Sequence, residues 1–265
     1  MDELKLIKML QNNPNIIKTI DNPTEKMKLI ALSQNGLLLN YIDEVTKEME
    51  EIAVNNEIRA IQYIQNPTEE MMIEAINEGW SLLKYINNPS DKIIKLALSK
   101  SGWAIQYIKN PNEELQLLAV DRNYDSIKYI KNPTEKVQLL AVNKSYKALK
   151  FIKEPTLKVE LQAIKNNESS INYIYDLEKE KIREILKTNI LTIKYINNKI
   201  EKEELIKIVK EKIREENVED KYIRDFLNCS SIDKNNFEED KIIFVYKYGS
   251  YRAKQITVDE KLKMI

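Results

Sequence analysis

Apolar and polar positions along this chain follow a 22-residue cycle that repeats without insertion from Asn22 to Asn197. Two of its copies read NPNEELQLLAVDRNYDSIKYIK from Asn110 and NPTEKVQLLAVNKSYKALKFIK from Asn132. Strict internal periodicity of this kind decides the architecture before any single residue does. In the first half of a copy, apolar residues such as Leu115, Leu117, Ala119 and Val120 spread around more than one side of a helix at about 100° per residue. In the second half, the eighteenth and twenty-first places are apolar throughout (Ile105 and Ile108, Ile127 and Ile130, Leu149 and Ile152), an i, i+3 stripe that faces the first helix. The pattern predicts two helices per copy. One pair cannot bury both stripes, so neighbouring pairs must stack.

Punctuation within the copies supports this. Openings fall at Asn22, Glu44, Asn66, Asn88, Asn110, Asn132, Glu154 and Asp176, and proline follows six of them. Asn in first place reads as an N-cap, Pro as the first helical residue, and Glu in fourth place (Glu25, Glu69, Glu113, Glu135) as the far partner of a capping box. The first helix is expected to stop near the fourteenth place, where Asn35, Gly79, Ser101, Asn123, Ser145, Asn167 and Asn189 sit. A second, shorter helix then runs to a Tyr-Ile pair, and the next Asn-Pro ends it.

Residues 1–21 read as a degenerate N-terminal capping copy, 22–197 as the repeats, and 198–216 as a charged C-terminal capping helix. Residues 217–265 form an appendage outside the period. There DKYIRDFLN looks helical, while KIIFVYKYGSYRAKQITV alternates around Gly249-Ser250 and fits a β-hairpin. The expected fold is all-α, a right-handed α-solenoid of about nine two-helix repeats with a small C-terminal appendage.

Composition narrows the function. The chain has no histidine, one cysteine (Cys229) and four glycines. The commonest general base and metal ligand is therefore missing, no internal disulfide or thiol pair exists, and no glycine belongs to a phosphate-binding loop. The expectation is a non-catalytic protein with no cofactor and no metal. A catalytic alternative would lie in the appendage, among Glu238, Glu239 and Asp240 with Tyr246, Tyr248, Tyr251 and Arg252. No apolar run approaches the roughly 18 residues of a membrane span, and the opening MDELKLIKML is acidic where a secretory signal is basic, so a cytoplasmic location away from membranes is expected.

The unit NPTEKVQLLAVNKSYKALKFIK and its siblings resemble the NPTEEVQLAAVKQNGYAIKYIK repeats of uncharacterised bacterial and bacteriophage proteins, and more loosely the domain-of-unknown-function repeats reading DKEVVLAAVKQNGYALEYAS. The resemblance covers about residues 22–197 and implies a fold without supplying catalytic residues. It also implies a phage or mobile-element inhibitor of a host defence complex, such as an anti-CRISPR.

Internal comparison of the copies suggests where a partner binds. The twentieth place is aromatic in all eight (Tyr41, Tyr63, Tyr85, Tyr107, Tyr129, Phe151, Tyr173, Tyr195), and the loss of the hydroxyl at Phe151 favours packing between hairpins over base stacking. Variable aromatics at the fifteenth or sixteenth place, Trp80, Trp103, Tyr124 and Tyr146, are the expected contact stripe. Residues 100–153 hold ten Lys and Arg against five Asp and Glu, whereas residues 1–99 hold ten against fifteen. Lys100, Arg122 and Lys144 share the thirteenth place beside the stripe, and Lys147 follows Tyr146. The expected partner is a protein or a protein–nucleic acid complex, with direct nucleic-acid binding through the basic, aromatic stripe of repeats three to six as the alternative.

Overall fold

The computed structural model describes residues 3–262, and these fall in two compact units that meet in sequence at Ile130 and Lys131. In the first unit, ten-residue α-helices alternate with six-residue 3-10 helices. The α-helices are α1 (Glu3–Asn12), α2 (Glu25–Gln34), α3 (Lys47–Asn56), α4 (Glu69–Glu78), α5 (Asp91–Lys100) and α6 (Glu113–Arg122). The 3-10 helices are η1 (Pro14–Thr19), η2 (Gly36–Tyr41), η3 (Ile58–Tyr63), η4 (Trp80–Tyr85), η5 (Gly102–Tyr107) and η6 (Tyr124–Tyr129). In the second unit, α7 (Glu135–Lys144), η7 (Tyr146–Phe151), α8 (Leu157–Asn166), η8 (Glu168–Tyr173), α9 (Lys179–Thr188) and η9 (Ile190–Thr192) continue the alternation. The last copy closes with the short α10 (Ile193–Ile196) and η10 (Asn197–Lys199). Then come α11 (Lys202–Ile213), α12 (Asp220–Asn228), α13 (Lys241–Tyr248) and α14 (Tyr251–Leu262). Hairpins pack in chain order within each unit: α1 on α2, α2 on α3, α4 on α5 and α5 on α6 in the first, α7 on α8 and α8 on α9 in the second. The architecture is the all-α helical repeat that the period predicts. No helix among the described residues is long and apolar enough to cross a membrane.

The caps lie two residues later than the sequence suggests. Asn22, Asn88 and Asn110 hold positive φ near 50°, a left-handed conformation that Asn tolerates better than most residues, so they turn the chain and do not cap it. The N-cap is the third-place residue: Thr24, Thr46, Thr68, Ser90, Asn112, Thr134 and Thr156 each accept a hydrogen bond from the backbone N–H three residues on. Fourth-place glutamates thus open the helix and complement its dipole. They also bind the next copy: Glu69 pairs with Lys92, and Glu135 meets Lys158 Nζ at 2.9 Å and Thr156 Oγ1 at 2.8 Å.

The second helix is 3-10 and not α. Only six residues separate two extended ones, and an α-helix that short would leave most of its backbone groups unpaired, whereas i→i+3 bonds close quickly. The fourteenth-place residue ends one helix and starts the next. Asn35 donates its N–H to Ala31 O, and its side chain accepts from Leu37 N; Asn167 and Asn189 do the same in their copies.

The seam between copies is built on small residues. Ala31, Ala53, Ala75, Ala97, Ala119, Ala141 and Ala163, all in tenth place, are 0% exposed. Against two of them the preceding copy places a glycine: a Cβ on Gly36 would meet Ala53 O at 2.1 Å, and one on Gly102 would meet Ala119 O at 2.1 Å. The glycine N–H groups donate to the next copy's Asn56 Oδ1 (2.8 Å) and Asn123 Oδ1 (2.9 Å). Beside the alanine, Leu32, Val54, Ile76, Leu98, Val120, Val142 and Ile164 in eleventh place complete the core with the eighteenth-place Leu or Ile.

Seventh-place polar residues are buried late in the array. Gln116 Nε2 donates to Pro111 O (2.9 Å) and Gln138 Nε2 to Pro133 O (3.0 Å). Glu160 takes this place in α8 and is 4% exposed. Lys181, the residue that breaks the apolar pattern, reaches its carboxylate at 3.0 Å.

The C-terminal segment is helical, correcting the expected β-hairpin. Asp240 accepts from Ile242 and Ile243 N–H groups and so caps α13, and Gly249 N–H closes that helix on Val245 O at 2.8 Å. Phe244 and Val245 are adjacent and both buried, which a helix allows and a half-buried strand, with neighbours on opposite faces, does not. Ser250 begins the next helix, accepting from Ala253 N at 3.2 Å. The appendage is not free-standing: α13 packs on α11 and α12 on η9. Its core is aromatic, with Phe237 edge-on to Phe226 (5.4 Å) and Phe244 (4.7 Å).

Two outcomes follow. Gly102→Ala is expected to cost about 1–3 kcal/mol because backbone on both sides must yield, whereas Gly79→Ala, whose nearest added contact is Ser81 Oγ at 4.0 Å, should be neutral; paired urea melts compare them. Burial pushes the Glu160 carboxyl above 4.5 against the opposing pull of Lys181. A raised acid pKa contributes stability below 4.5 that is lost as pH climbs through the folded value. Glu160→Gln, copying Gln138, should therefore gain in melting temperature over the parent more at pH 7 than at pH 4.

Candidate functional site

The short helices carry the exposed aromatics. In the first seven copies after residue 21 the short helix ends in extended backbone at the twenty-first place, so the Ile there turns inward and the twentieth-place ring lies toward the outside; in the last copy Ile196 closes α10 and is also buried. Tyr41 is 55% exposed, Tyr129 41% and Tyr195 42%, and none of the eight rings is buried. Tyr85, Tyr107, Phe151 and Tyr173 are half-buried, so the row divides between exposed rings and rings partly covered by their neighbours. Cations from the nineteenth place cover several: Lys18 Nζ lies 4.0 Å from the Tyr41 centroid, Lys84 4.5 Å from Tyr85, and Lys150 4.6 Å from Phe151.

In the first unit this row meets the tryptophans. Trp80 opens η4 and Trp103 is the second residue of η5, so the indoles sit one position out of step and meet edge to face, centroids 6.4 Å apart at 66°. Tyr107, at the end of η5, lies 6.2 Å from Trp80. From η6, Asp125 Oδ1 accepts the Trp103 Nε1–H at 2.8 Å, and Lys128 Nζ stands 5.6 Å over the indole and 4.9 Å over Tyr129. Desolvation pulls the Lys128 ammonium down, but Asp125 at 3.3 Å and Tyr129 together outweigh it and hold the pKa above the ordinary lysine value. Trp103 is 38% exposed, and Trp80 and Tyr107 are half-buried. Three successive copies thus present one aromatic surface with a fixed cation and a fixed carboxylate at its edge.

Sequence comparison of the copies located Trp80 and Trp103 but gave no sign of Asp125 as their polar partner. A carboxylate one full period beyond Trp103, at the same place in the next copy, was the available signal. Tyr124 opens η6, is half-buried, and makes no ring contact among the described residues. In the second unit Tyr146 opens η7, half-buried, with Lys147 exposed beside it.

Comparison with protein-family models, curated proteins and solved structures gives no match.

The thirteenth-place cations have a different setting from the rings. Lys100, Arg122 and Lys144 are exposed final residues of α5, α6 and α7, where the helix dipole favours positive charge. The same place in other copies reaches the preceding copy's helix end: Gln34 Nε2 donates to Leu10 O (3.4 Å) and Asn56 Nδ2 to Ser33 O (2.8 Å). The cation that reaches an indole is Lys128 instead.

Five of the seven groups named for the catalytic alternative hold part of the appendage. Glu238 pairs with Lys202, Glu239 meets Lys247 at 3.0 Å, Asp240 caps α13, and Arg252 donates to Val218 O (2.9 Å) and Asp220 (2.7 Å). Tyr248 stacks edge-on to Phe244, and Tyr246 and Tyr251 are exposed. Among the described residues no cluster of three or more His, Cys, Asp or Glu could hold a metal ion.

With two tryptophans in the chain, single-indole variants separate their environments. Trp80→Phe, which leaves Trp103, should be quenched by acrylamide more steeply than Trp103→Phe, which leaves Trp80. Adding Asp125→Ala to the Trp80→Phe variant should shift Trp103 emission.

Proposed function

We propose that this protein is a non-catalytic binding scaffold that engages a protein partner through the short-helix face, centred on Trp80, Trp103 and Tyr107. The observation that carries the reading is a clustered aromatic surface. Trp103 is 38% exposed beside the half-buried Trp80 and Tyr107, and the twentieth-place rings of Tyr41, Tyr63, Tyr129 and Tyr195 are exposed, whereas residues held fixed for packing, such as the tenth-place alanines, are buried. Trp and Tyr dominate the energetics of protein interfaces, and a rigid T-shaped pair braced by Asp125 and Lys128 loses little entropy on binding. In its wider form this reading takes protein alone or a protein–nucleic acid complex as the partner; the narrower form, a phage or mobile-element inhibitor of a host defence complex, is supported by the resemblance of the repeats.

Nucleic acid is the second reading, favoured by exposed rings flanked by lysines, the arrangement on which bases stack. Against it, Lys128 is committed to Asp125 and to two rings, which leaves less charge for phosphate.

Affinity capture from the source cell with the parent chain and with a Trp80→Ala, Trp103→Ala variant tests the scaffold. The variant is expected to lose the partner by at least about 30-fold, one hot spot's worth, with far-ultraviolet circular dichroism unchanged. Equal capture discards this face. Gel shift with single-stranded DNA and RNA at low and moderate salt distinguishes the second reading, since phosphate-driven binding falls steeply with salt.

A further inference from the structure

Within the first unit the two kinds of helix form two layers, α on α and short helix on short helix. Charge is divided between them. Helices α3, α4, α5 and α6 hold eleven Asp and Glu against five Lys and Arg. The short helices of the same copies, taken with the turns that follow them (58–66, 80–88, 102–110 and 124–130), hold Arg59, Lys84, Lys109 and Lys128 against the single carboxylate of Asp125.

The cations of the two layers are also engaged differently. In the α layer, Lys92 pairs with Glu69 and Lys95 with Glu114 at 2.6 Å, each reaching a neighbouring copy. In the short-helix layer, Lys84 and Lys109 are exposed and hold no ion pair among the described residues. Lys84 Nζ lies 4.5 Å from the Tyr85 centroid, and a ring takes one side of an ammonium while leaving N–H donors free. Arg59 has Glu57 at 4.0 Å with both side chains exposed, a contact worth little. The helix dipole does not explain Arg59, which is the second residue of η3, at the end where a dipole disfavours positive charge. It shares the sixteenth place with Trp103, two copies away on the same row.

We infer that the aromatic face of the first unit takes an acidic protein segment, with apolar side chains of the partner on Trp80, Trp103 and Tyr107 and its carboxylates on Arg59, Lys84 and Lys109. The inference rests on the scaffold function proposed above and names the chemistry of the partner. Opposite potentials steer such a segment to this layer, while the acidic α layer repels it. Asp125 disfavours nucleic acid. It accepts from Trp103 Nε1 within the aromatic surface, where an unbroken line of phosphates would meet like charge. A peptide can present an apolar residue at that point and carboxylates elsewhere.

Fluorescence anisotropy with the full chain tests this. The probe is a labelled peptide with two central leucines between runs of glutamate, compared with its glutamine counterpart and with single-stranded DNA of matching charge. The glutamate peptide is expected to bind at least about tenfold tighter than the glutamine peptide at low salt, the gap closing as salt rises. Lys84→Glu with Lys109→Glu should weaken it at least about tenfold with the melting temperature unchanged, and Glu74→Lys with Glu78→Lys in the α layer should leave it within about twofold. Loss in the charge variant and also in Trp80→Ala, Trp103→Ala supports the site and its preference together. Loss in the tryptophan variant alone keeps the aromatic face and overturns its acidic preference. Loss in the charge variant alone overturns both, since the segment then lies off the indoles. The inference also falls if the glutamine peptide binds as tightly as the glutamate one, or if the glutamate peptide does not saturate below about 1 mM. DNA binding at least about tenfold tighter than the glutamate peptide overturns it too and assigns the face to nucleic acid.

Discussion

Everything in this molecule depends on how closely two neighbouring hairpins can approach. A ten-residue helix and a six-residue 3-10 helix have too little surface in common to bury their own apolar sides. The tenth-place alanines solve this by removing side-chain bulk where one helix meets the next copy. At Gly36 and Gly102 even a methyl group is excluded, and backbone donors there bond across the gap to Asn56 and Asn123. Close approach then lets the eleventh- and eighteenth-place aliphatics meet, and dispersion between many such atoms does the rest.

The period was legible because burial imposes it: wherever a residue must face a neighbour, its apolar character recurs. Details that depend on backbone angles were not. In NPTE, Asn and Thr are both good caps, and only the left-handed turn at Asn22 or Asn110 decides for Thr24 or Asn112. Over six residues, periods of 3.0 and 3.6 cannot be told apart, so the 3-10 character of the second helix was hidden. In KIIFVYKY a strand-like alternation competed with the capping carboxylate of Asp240, and the cap prevailed in a helix that buries Phe244 against Phe226 and Phe237 and buries Val245 beside it in sequence.

The candidate site was half legible. Trp80 and Trp103 stood out as variable aromatics, but Asp125 and Lys128 are ordinary surface residues until the stacking of η5 on η6 brings them to the indole. The aromatic row is mixed. Tyr41, Tyr63, Tyr129 and Tyr195 are exposed, while Tyr85, Tyr107, Phe151 and Tyr173 are half-buried and Tyr107 meets Trp80 of the preceding hairpin. Recurrence in a repeat can therefore mark a shared surface as well as a shared core.

The fourteenth-place residue has one further consequence. It is the terminal residue of one helix and the cap of the next, so no spare linker separates them. An added or missing amino acid there would rotate all that follows out of phase with the preceding layer. Evolution or design can change the length of such a chain only by gaining or losing whole modules, as beads are added to a string.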